Sequence, residues 1–392
     1  MLNAIAPKRG RLGPIDAARG ASLVCVCLSH YLTVNAAALV RDRLMMRLMD
    51  MTLLATPTFI ALSGLLAGVL LSQPEPGRSR MRRRYINRGL FLLLIVHLVL
   101  LAAHAPRSLG QSRVMWVFIT DPIGVALLVA AMIVGTMSPM RRAFLGLGLY
   151  VCAWLEVVWW MPETAAGAII KGVLFGPEGP LRYSFPIVPW VGVFLVATCI
   201  GEAASGTAIE NMRRDAVGRG AGAIARLGGG AIVAALMLKA AGKLAVRAGL
   251  WTADSTLDVL ASQYQKLPPG PVYVLFFGGA GLLSLAAFFP IIRYRFAVTL
   301  TAWLQLLGRC SLVVFVVQYF VYWLLVPTWL QVPSVGLWPL TFMATLVPLT
   351  ALAWVWDRYD LNRLLTVGYP WPQIGRFLVP DRPAIVGTVP RS

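Results

Sequence analysis

Apolar segments of about 18 to 22 residues recur along almost the whole chain, and short polar stretches separate them. A helix of that length crosses about 30 Å of hydrocarbon, because each residue adds about 1.5 Å. The pattern predicts ten membrane-spanning helices, at 14–35, 52–72, 87–104, 116–137, 143–161, 185–205, 228–249, 271–292, 309–327 and 338–357. We therefore expect an all-α polytopic membrane protein with about 10 transmembrane helices.

The polar stretches contain the residues that end helices. QPEPGRSRMRRRYINR, MPETAAG and KLPPGP combine proline, glycine and charge between two apolar runs. None of these gaps is long enough to hold a soluble domain of ordinary size. We predict one transmembrane domain at 1–360, followed by a cytoplasmic C-terminal tail at 361–392.

The distribution of basic residues predicts the orientation. The chain carries 35 Lys and Arg against 16 Asp and Glu, a net charge of +19, but these cations follow the loops and are not gathered on one soluble face. Twenty-four of the 35 fall on the side of the N-terminus, the even-numbered gaps and the C-terminus. By the positive-inside rule, we expect both termini to be cytoplasmic. The expected location is the cell inner (plasma) membrane, with the lipid bilayer as a partner and no nucleic acid.

The composition agrees with this class, since 58% of residues are hydrophobic and 13% are charged. The five cysteines all lie in apolar segments, and an odd number placed there is no disulfide framework. The first apolar run carries Asp16, Arg19 and His30 and has no small-residue cleavage site after it. We expect it to remain as helix one, not to be removed as a signal peptide.

Helix one contains an unusual set of polar residues, in the stretch DAARGASLVCVCLSH. Arg19 and His30 are eleven residues apart, so on a helix they return to within about 20° of one face and lie about 16.5 Å apart along the axis. A cation at mid-membrane costs about 2.5 to 3.5 kcal/mol, and such residues usually face a protein interior or a wet cavity. Alternatively, Arg19 snorkels to the headgroups with Asp16 as its partner, and His30 lies in the opposite interface. Their shared face favours two ends of one site.

Four segments resemble known membrane acyltransferases. The spacing from Arg19 to His30 resembles the hallmark of the acyltransferase-3 family. TPTFIALSGLLAGVLL resembles the second helix of these proteins, and SFPIVPWVGVFLVATCIGE is similar to a PxxPWxGV segment of heparan-α-glucosaminide N-acetyltransferase-like proteins. LGRCSLVVFVVQYF resembles their late helix, usually written LGxxSLxxYxxH, except that Gln318 stands where many relatives have a second histidine. The four motifs run in order from residue 15 to about 320.

This resemblance implies an acyltransferase that moves an acyl group from cytoplasmic acyl-CoA to a sugar or glycan on the extracytoplasmic side. Acetyl-CoA is the expected co-substrate, and no metal is expected. His30 is the candidate general base, because an imidazole titrates near neutrality and can take the acceptor's proton. Asp16 is expected to orient or neutralise Arg19, so the predicted catalytic residues are His30, Asp16 and Arg19.

The donor is expected to bind cations near the cytoplasmic end of helix one, because arginine forks bind phosphate oxygens. The predicted acyl-CoA-binding residues are Arg19, Arg82, Arg83, Arg88, Arg309 and Ser311. A basic inner loop is also what topology requires, and it attracts anionic lipid without any nucleotide.

Three residues near the opposite side are predicted to contact the acceptor: Asp121, Trp190 and His104. Sugars stack on aromatic faces, and the acid lies at the outer end of the fourth predicted span. The alternative is that His104 only packs and that Trp190 belongs to the interfacial aromatic belt.

Two other functions remain open at this stage. A membrane transporter without chemistry would use Arg19 and His30 as ion or proton relay residues, although no inverted repeat is apparent. Within the enzyme class, the alternative is a periplasmic-glucan succinyltransferase-like protein. The sequence leaves open the acyl group, the acceptor, and whether the chain forms a homodimer.

Overall fold

The structure is a computed structural model, and it describes residues 12–35, 42–108, 117–176, 184–204, 217–250, 256–329 and 335–367. Those ranges are helical, and their only extended pairing is one isolated bridge between Val134 and Met137. The α-helices are α1 (Gly13–Val34), α2 (Arg43–Thr52), α3 (Ala55–Leu71), α4 (Gly77–Phe91), α5 (His97–Ser108), α6 (Thr120–Ile133), α7 (Pro139–Trp159), α8 (Ala165–Leu174), α9 (Ile187–Ala204), α10 (Val217–Arg247), α11 (Thr256–Ala261), α12 (Pro271–Ile291), α13 (Val298–Arg309), α14 (Ser311–Phe320), α15 (Val326–Trp329) and α16 (Trp338–Arg358).

Some of these helices are continuous with one another. A π-helical turn at Leu92–Val96 joins α4 to α5, and another at Val321–Leu325 joins α14 to α15. A π turn inserts one extra residue into the helical ladder and often lies near a functional site. The second turn packs against α1 and against α5.

Eight helical stretches in the described ranges are long and apolar enough to cross a membrane. The helices α6, α8 and α9 are apolar but shorter. The prediction of an all-α polytopic membrane protein is therefore confirmed. Each of the ten predicted spans falls on a helix, although 116–137 and 185–205 correspond to the shorter α6 and α9. The number ten, the cytoplasmic termini and the domain boundary at 360 stay predictions, and residues 368–392 of the tail lie outside the described part.

Outward-facing side chains of the bundle are largely apolar. Phe144 and Leu147 on α7, Met237 on α10 and Val347 on α16 are all more than half exposed. Exposed apolar side chains carry no free-energy cost when they face the hydrocarbon of a membrane. In that surrounding the backbone N–H and C=O groups must be hydrogen-bonded within the protein, as they are in these helices.

Helix α1 lies inside the bundle, against α13, α12 and α3. Its contact with α13 is made at the backbone. A Cβ atom on Gly20 would overlap the carbonyl oxygen of Leu304, and one on Gly308 would overlap that of Asp16. Small residues allow this approach, as in other helix pairs of membrane proteins. The two glycines fix the position of the α1 segment that carries Asp16 and Arg19.

Two local predictions from the apolar pattern were wrong. Residues 293–308 were expected to be a gap between two spans, but most of this stretch forms α13, with Thr301, Leu304 and Leu307 buried. Twelve residues are too few to span a membrane, so a search by span length overlooks this helix. The arginine run before the third span was expected to be a loop, whereas α4 already begins at Gly77 and holds this run on helical turns.

Candidate active site

A cavity of about 470 Å³ lies beside α1. Its walls come from α1, α3, α4, α6, α13 and α14, together with Phe185 and Lys266 from the connecting segments. On α1 the lining residues include Asp16, Arg19 and His30. The prediction that Arg19 and His30 share a face is confirmed. Since they are eleven helical residues apart, the cavity extends about 16.5 Å between them.

One end of the cavity, which we call the arginine end, is lined by Arg19, Arg84, Arg88 and Arg309. Asp16 lines the same end, and so do Tyr85 and Asn362. A cluster of guanidinium groups around a cavity mouth attracts a polyanion, because each offers a planar fork of donors to phosphate or carboxylate oxygens.

Helix α4 presents one face to this end. Met81, Arg84, Tyr85, Arg88 and Leu92 line the cavity, with the spacing of three and four residues that marks one side of a helix. Arg82 and Arg83, which the sequence analysis assigned to the donor, are exposed and do not line it. Arg84 takes their place. Continuing the helical period of the third span towards its N-terminus would have found it.

Arg309 and Ser311 were also assigned to the donor, and both line the cavity. Arg309 is buried, and its Nε and Nη2 atoms both donate to Asp357 Oδ2, at 3.2 and 3.0 Å. This two-pronged contact holds the guanidinium in one orientation and ties α13 to α16. Ser311 begins α14 just beyond it.

At the other end, which we call the histidine end, His30 meets Gln318 of α14. The Nδ1 atom of His30 is 2.7 Å from the Oε1 atom of Gln318. With the Gln318 amide in this orientation, its oxygen accepts from His30 Nδ1–H, and Nε2 is the ring nitrogen without a proton. Tyr319 packs its ring edge against the imidazole, with 5.0 Å between centroids. Gln318, the one departure from the late-helix motif, is therefore the residue that orients His30.

Two residues assigned to the acceptor lie behind the cavity wall. Asp121 is buried and does not line the cavity; its Oδ2 atom is 3.0 Å from His97 Nδ1 and accepts the backbone N–H of Phe118 at 2.8 Å. His104 packs against Phe118, Tyr319 and Trp323, with ring centroids 5.1 to 5.3 Å apart. Only Tyr319 of these neighbours lines the cavity.

Trp190, the third residue assigned to the acceptor, is 1% exposed. Its ring lies against Tyr273, with 6.3 Å between centroids, and it takes no part in the cavity wall. Of the two prolines of SFPIVPWVG, Pro186 precedes α9 and Pro189 lies in its first turn, next to Trp190. The three acceptor assignments stay predictions that the cavity lining does not support.

Lys266, which was not among the residues predicted from the sequence, lines the histidine end. It lies in KLPPGP, which was interpreted only as a helix break. Its ammonium nitrogen is 5.2 Å from the centre of the Phe185 ring. Burial lowers the pKa of Lys266 to about 8.

The residues therefore build an elongated cavity with cations at one end and an oriented imidazole base at the other. Comparison with known proteins identifies the family of the chain. The sequence model described as heparan-alpha-glucosaminide N-acetyltransferase, catalytic, matches residues 11–232, which is more than half of the chain. The chain belongs to this family. A search of curated proteins finds no match.

The family match covers α1 to α9 and the first half of α10. It therefore contains Asp16, Arg19, His30 and the cavity face of α4. Lys266, Arg309 and Gln318 lie beyond it, yet they line or support the same cavity. The site is built by both halves of the chain, and the second half supplies the residue that orients His30.

Proposed function

We propose that this protein is a membrane-embedded acetyltransferase that moves an acetyl group from cytoplasmic acetyl-CoA to a sugar or glycan on the opposite side of the membrane. The observation that carries the proposal is the single cavity that joins Arg19 to His30. Membership of a family named for N-acetyl transfer to a glucosamine supports both the reaction type and the class of acceptor.

The arginine end suits the nucleotide of the donor. Coenzyme A carries several phosphate charges, and the guanidinium groups of Arg19, Arg84 and Arg88 offer them charge-assisted hydrogen bonds. Between Arg19 and His30 the cavity wall includes the apolar side chains of Val26 and Leu92, which suit a flexible arm of low charge. The thioester is then delivered about 16.5 Å away, next to His30.

The transfer step uses the oriented imidazole. His30 Nε2 takes the proton from the acceptor hydroxyl or amine as that atom attacks the thioester carbonyl carbon. The new C–O or C–N bond forms, the C–S bond breaks, and the proton passes from His30 to the departing thiolate. Gln318 stays hydrogen-bonded to Nδ1 throughout and stabilises the imidazolium. An acceptor can reach this end from the far side while the donor remains at the arginine end.

A transporter would need the cavity to carry a solute between two open sides. The oriented His30 and the family match favour chemistry over transport. Acetyl-CoA and succinyl-CoA share the same nucleotide and differ only in the acyl group. Selection between these two donors would therefore take place at the end of the cavity that holds the acyl group.

Donor binding gives the first test. Replacing Arg88 by glutamine is expected to weaken CoA binding by about 10- to 100-fold, because a hydrogen bond to a charged group contributes about 1.5 to 3 kcal/mol. Arg83→Gln removes the same charge from the same helix at an exposed position that does not line the cavity. It should change affinity by less than about 3-fold. Isothermal titration in detergent measures both.

The thermal unfolding of each variant shows whether it is folded. Equal CoA affinity in Arg88→Gln and Arg83→Gln would mean that general positive charge, not the cavity, attracts the nucleotide. Absence of CoA binding by the folded wild-type protein would remove the donor from the proposal.

A further inference from the structure

The loop that carries Lys266 is fixed to the bundle from several sides. The carbonyl oxygen of Pro269 accepts hydrogen bonds from Tyr150 Oη at 2.6 Å and Trp154 Nε1 at 3.0 Å, both on α7. Gln265 makes two hydrogen bonds within the loop. Its side-chain Nε2 donates to the backbone carbonyl oxygen of Leu267, and its backbone carbonyl oxygen accepts from the Gly270 N–H. These hydrogen bonds fix the backbone of the loop and therefore the position from which the Lys266 side chain extends.

Lys266 thereby directs a cation into the histidine end of the cavity. Its ammonium lies over the ring of Phe185, which is buried and held by a backbone hydrogen bond to Val117. Within the described ranges no carboxylate comes within salt-bridge distance of this ammonium. A ring face gives an ammonium about 0.5 to 2 kcal/mol and leaves its charge unneutralised.

The charge of this lysine persists at neutral pH. Burial lowers its pKa to about 8, so at pH 7 most molecules still carry the ammonium form. A confined cation that none of the described carboxylates neutralises is unfavourable, and an anion that enters the cavity offsets that cost. Among the described residues that line the histidine end, Thr56 and Thr120 carry hydroxyl groups, and Lys266 is the only lysine or arginine. A single ammonium group suits a ligand group with a single negative charge.

We propose that Lys266 is a carboxylate-binding site at the histidine end of the cavity, beside the acyl-transfer position. The inference rests on the proposed acyltransfer and refines its substrate class. The carboxylate has two sources of the same chemistry: an acidic acceptor such as a uronic acid, or a dicarboxylic acyl group on the donor such as succinyl. In either case the ammonium holds the carboxylate while His30 acts on the neighbouring hydroxyl, amine or thioester.

Kinetic discrimination tests the site and separates the sources. We measure kcat/KM with acetyl-CoA or succinyl-CoA as donor, and with glucosamine or glucuronic acid as acceptor. Lys266→Met should lower kcat/KM about 10-fold or more for the combination that carries the carboxylate, through KM, and change the acetyl-CoA and glucosamine pair by less than about 3-fold. Lys243→Met, an exposed lysine on α10 outside the cavity, should change neither. Loss only with glucuronic acid identifies the acceptor as the source, and loss only with succinyl-CoA identifies the donor.

An equal loss for all substrate pairs would overturn the site and make Lys266 a general structural or electrostatic residue. A second measurement does not depend on turnover. Reductive methylation of the folded wild-type protein, read by mass spectrometry, should modify Lys266, and glucuronate or succinyl-CoA should protect it while glucose or acetyl-CoA should not. Equal modification with every ligand would overturn the carboxylate site. If transfer fails for every pair while protection persists, the proposed function falls and the binding site stands.

Discussion

Replacing His30 by alanine is expected to slow acetyl transfer by about 10²- to 10⁴-fold, the usual cost of removing a positioned general base. CoA affinity should stay within about 3-fold, because the proposed nucleotide site is the arginine end, about three helical turns away. The alanine removes the basic Nε2 atom that Gln318 keeps available by accepting from Nδ1. Turnover per folded molecule and CoA titration, measured on the same preparation, give the two numbers.

The matched control is Thr33→Ala, which alters an exposed residue on the same helix within one turn of His30. It should leave both turnover and affinity near wild type. If His30→Ala instead lowered thermal stability while each folded molecule kept full activity, His30 would be a packing residue. The base would then have to be sought among the residues behind the wall, Asp121 and His104.

Replacing Gly308 by alanine is expected to destabilise the protein and to weaken CoA binding by about 10-fold or more. The added methyl group would overlap the carbonyl oxygen of Asp16, and backbone cannot yield as a flexible side chain does. Overpacking of this kind typically costs about 1 to 3 kcal/mol. Separating α1 from α13 also moves Arg19 away from Arg309, and the arginine end loses its geometry.

Gly229→Ala on α10 supplies the control, because a Cβ atom there meets no neighbouring atom within 4 Å. Alanine is favoured over glycine in a helix by about 0.5 to 1 kcal/mol, so this variant should be neutral or slightly more stable. The two substitutions are chemically identical and are expected to have opposite signs in a thermal unfolding series. The same sign in both would show that the α1–α13 contact does not limit stability.

The apolar pattern was sufficient to predict the fold class, because a membrane requires long apolar helices and leaves few alternatives. It was insufficient for α13, whose twelve residues are too few to span a bilayer and pack against α1. Hydropathy reports how well a segment dissolves in hydrocarbon, and α13 is held by a glycine contact that hydropathy does not register.

For the site, the helical period was a better predictor of cavity-lining residues than the residue type was. The period of helix one correctly placed Arg19 and His30 on one cavity, eleven residues apart. Treating the arginine run before residue 87 as a loop led to Arg82 and Arg83, whereas the period of α4 places Arg84 on the face that lines the cavity. Charge was the signal in both cases, and only the helical register separated solvent-facing cations from cavity-facing ones.

Residues contributed by distant segments could not be derived from the sequence pattern. Lys266 lies in a loop anchored by hydrogen bonds from α7, more than a hundred residues earlier. The contact between His30 and Gln318 joins residues 288 positions apart. The resemblance of the late helix did mark position 318 as a departure, but only the packing of α14 against α1 gives that departure a role.

The central claim is that acetyl passes through one cavity from a donor on one side of the membrane to an acceptor on the other. Proteoliposomes loaded with CoA that carries a radiolabelled acetyl group, with glucosamine only in the outer medium, test it directly. We predict labelled acetylglucosamine outside and free CoA retained inside, at a rate lowered about 10²-fold or more by His30→Ala. Intact labelled acetyl-CoA in the outer medium, or no labelled sugar from folded wild-type protein, would contradict the account.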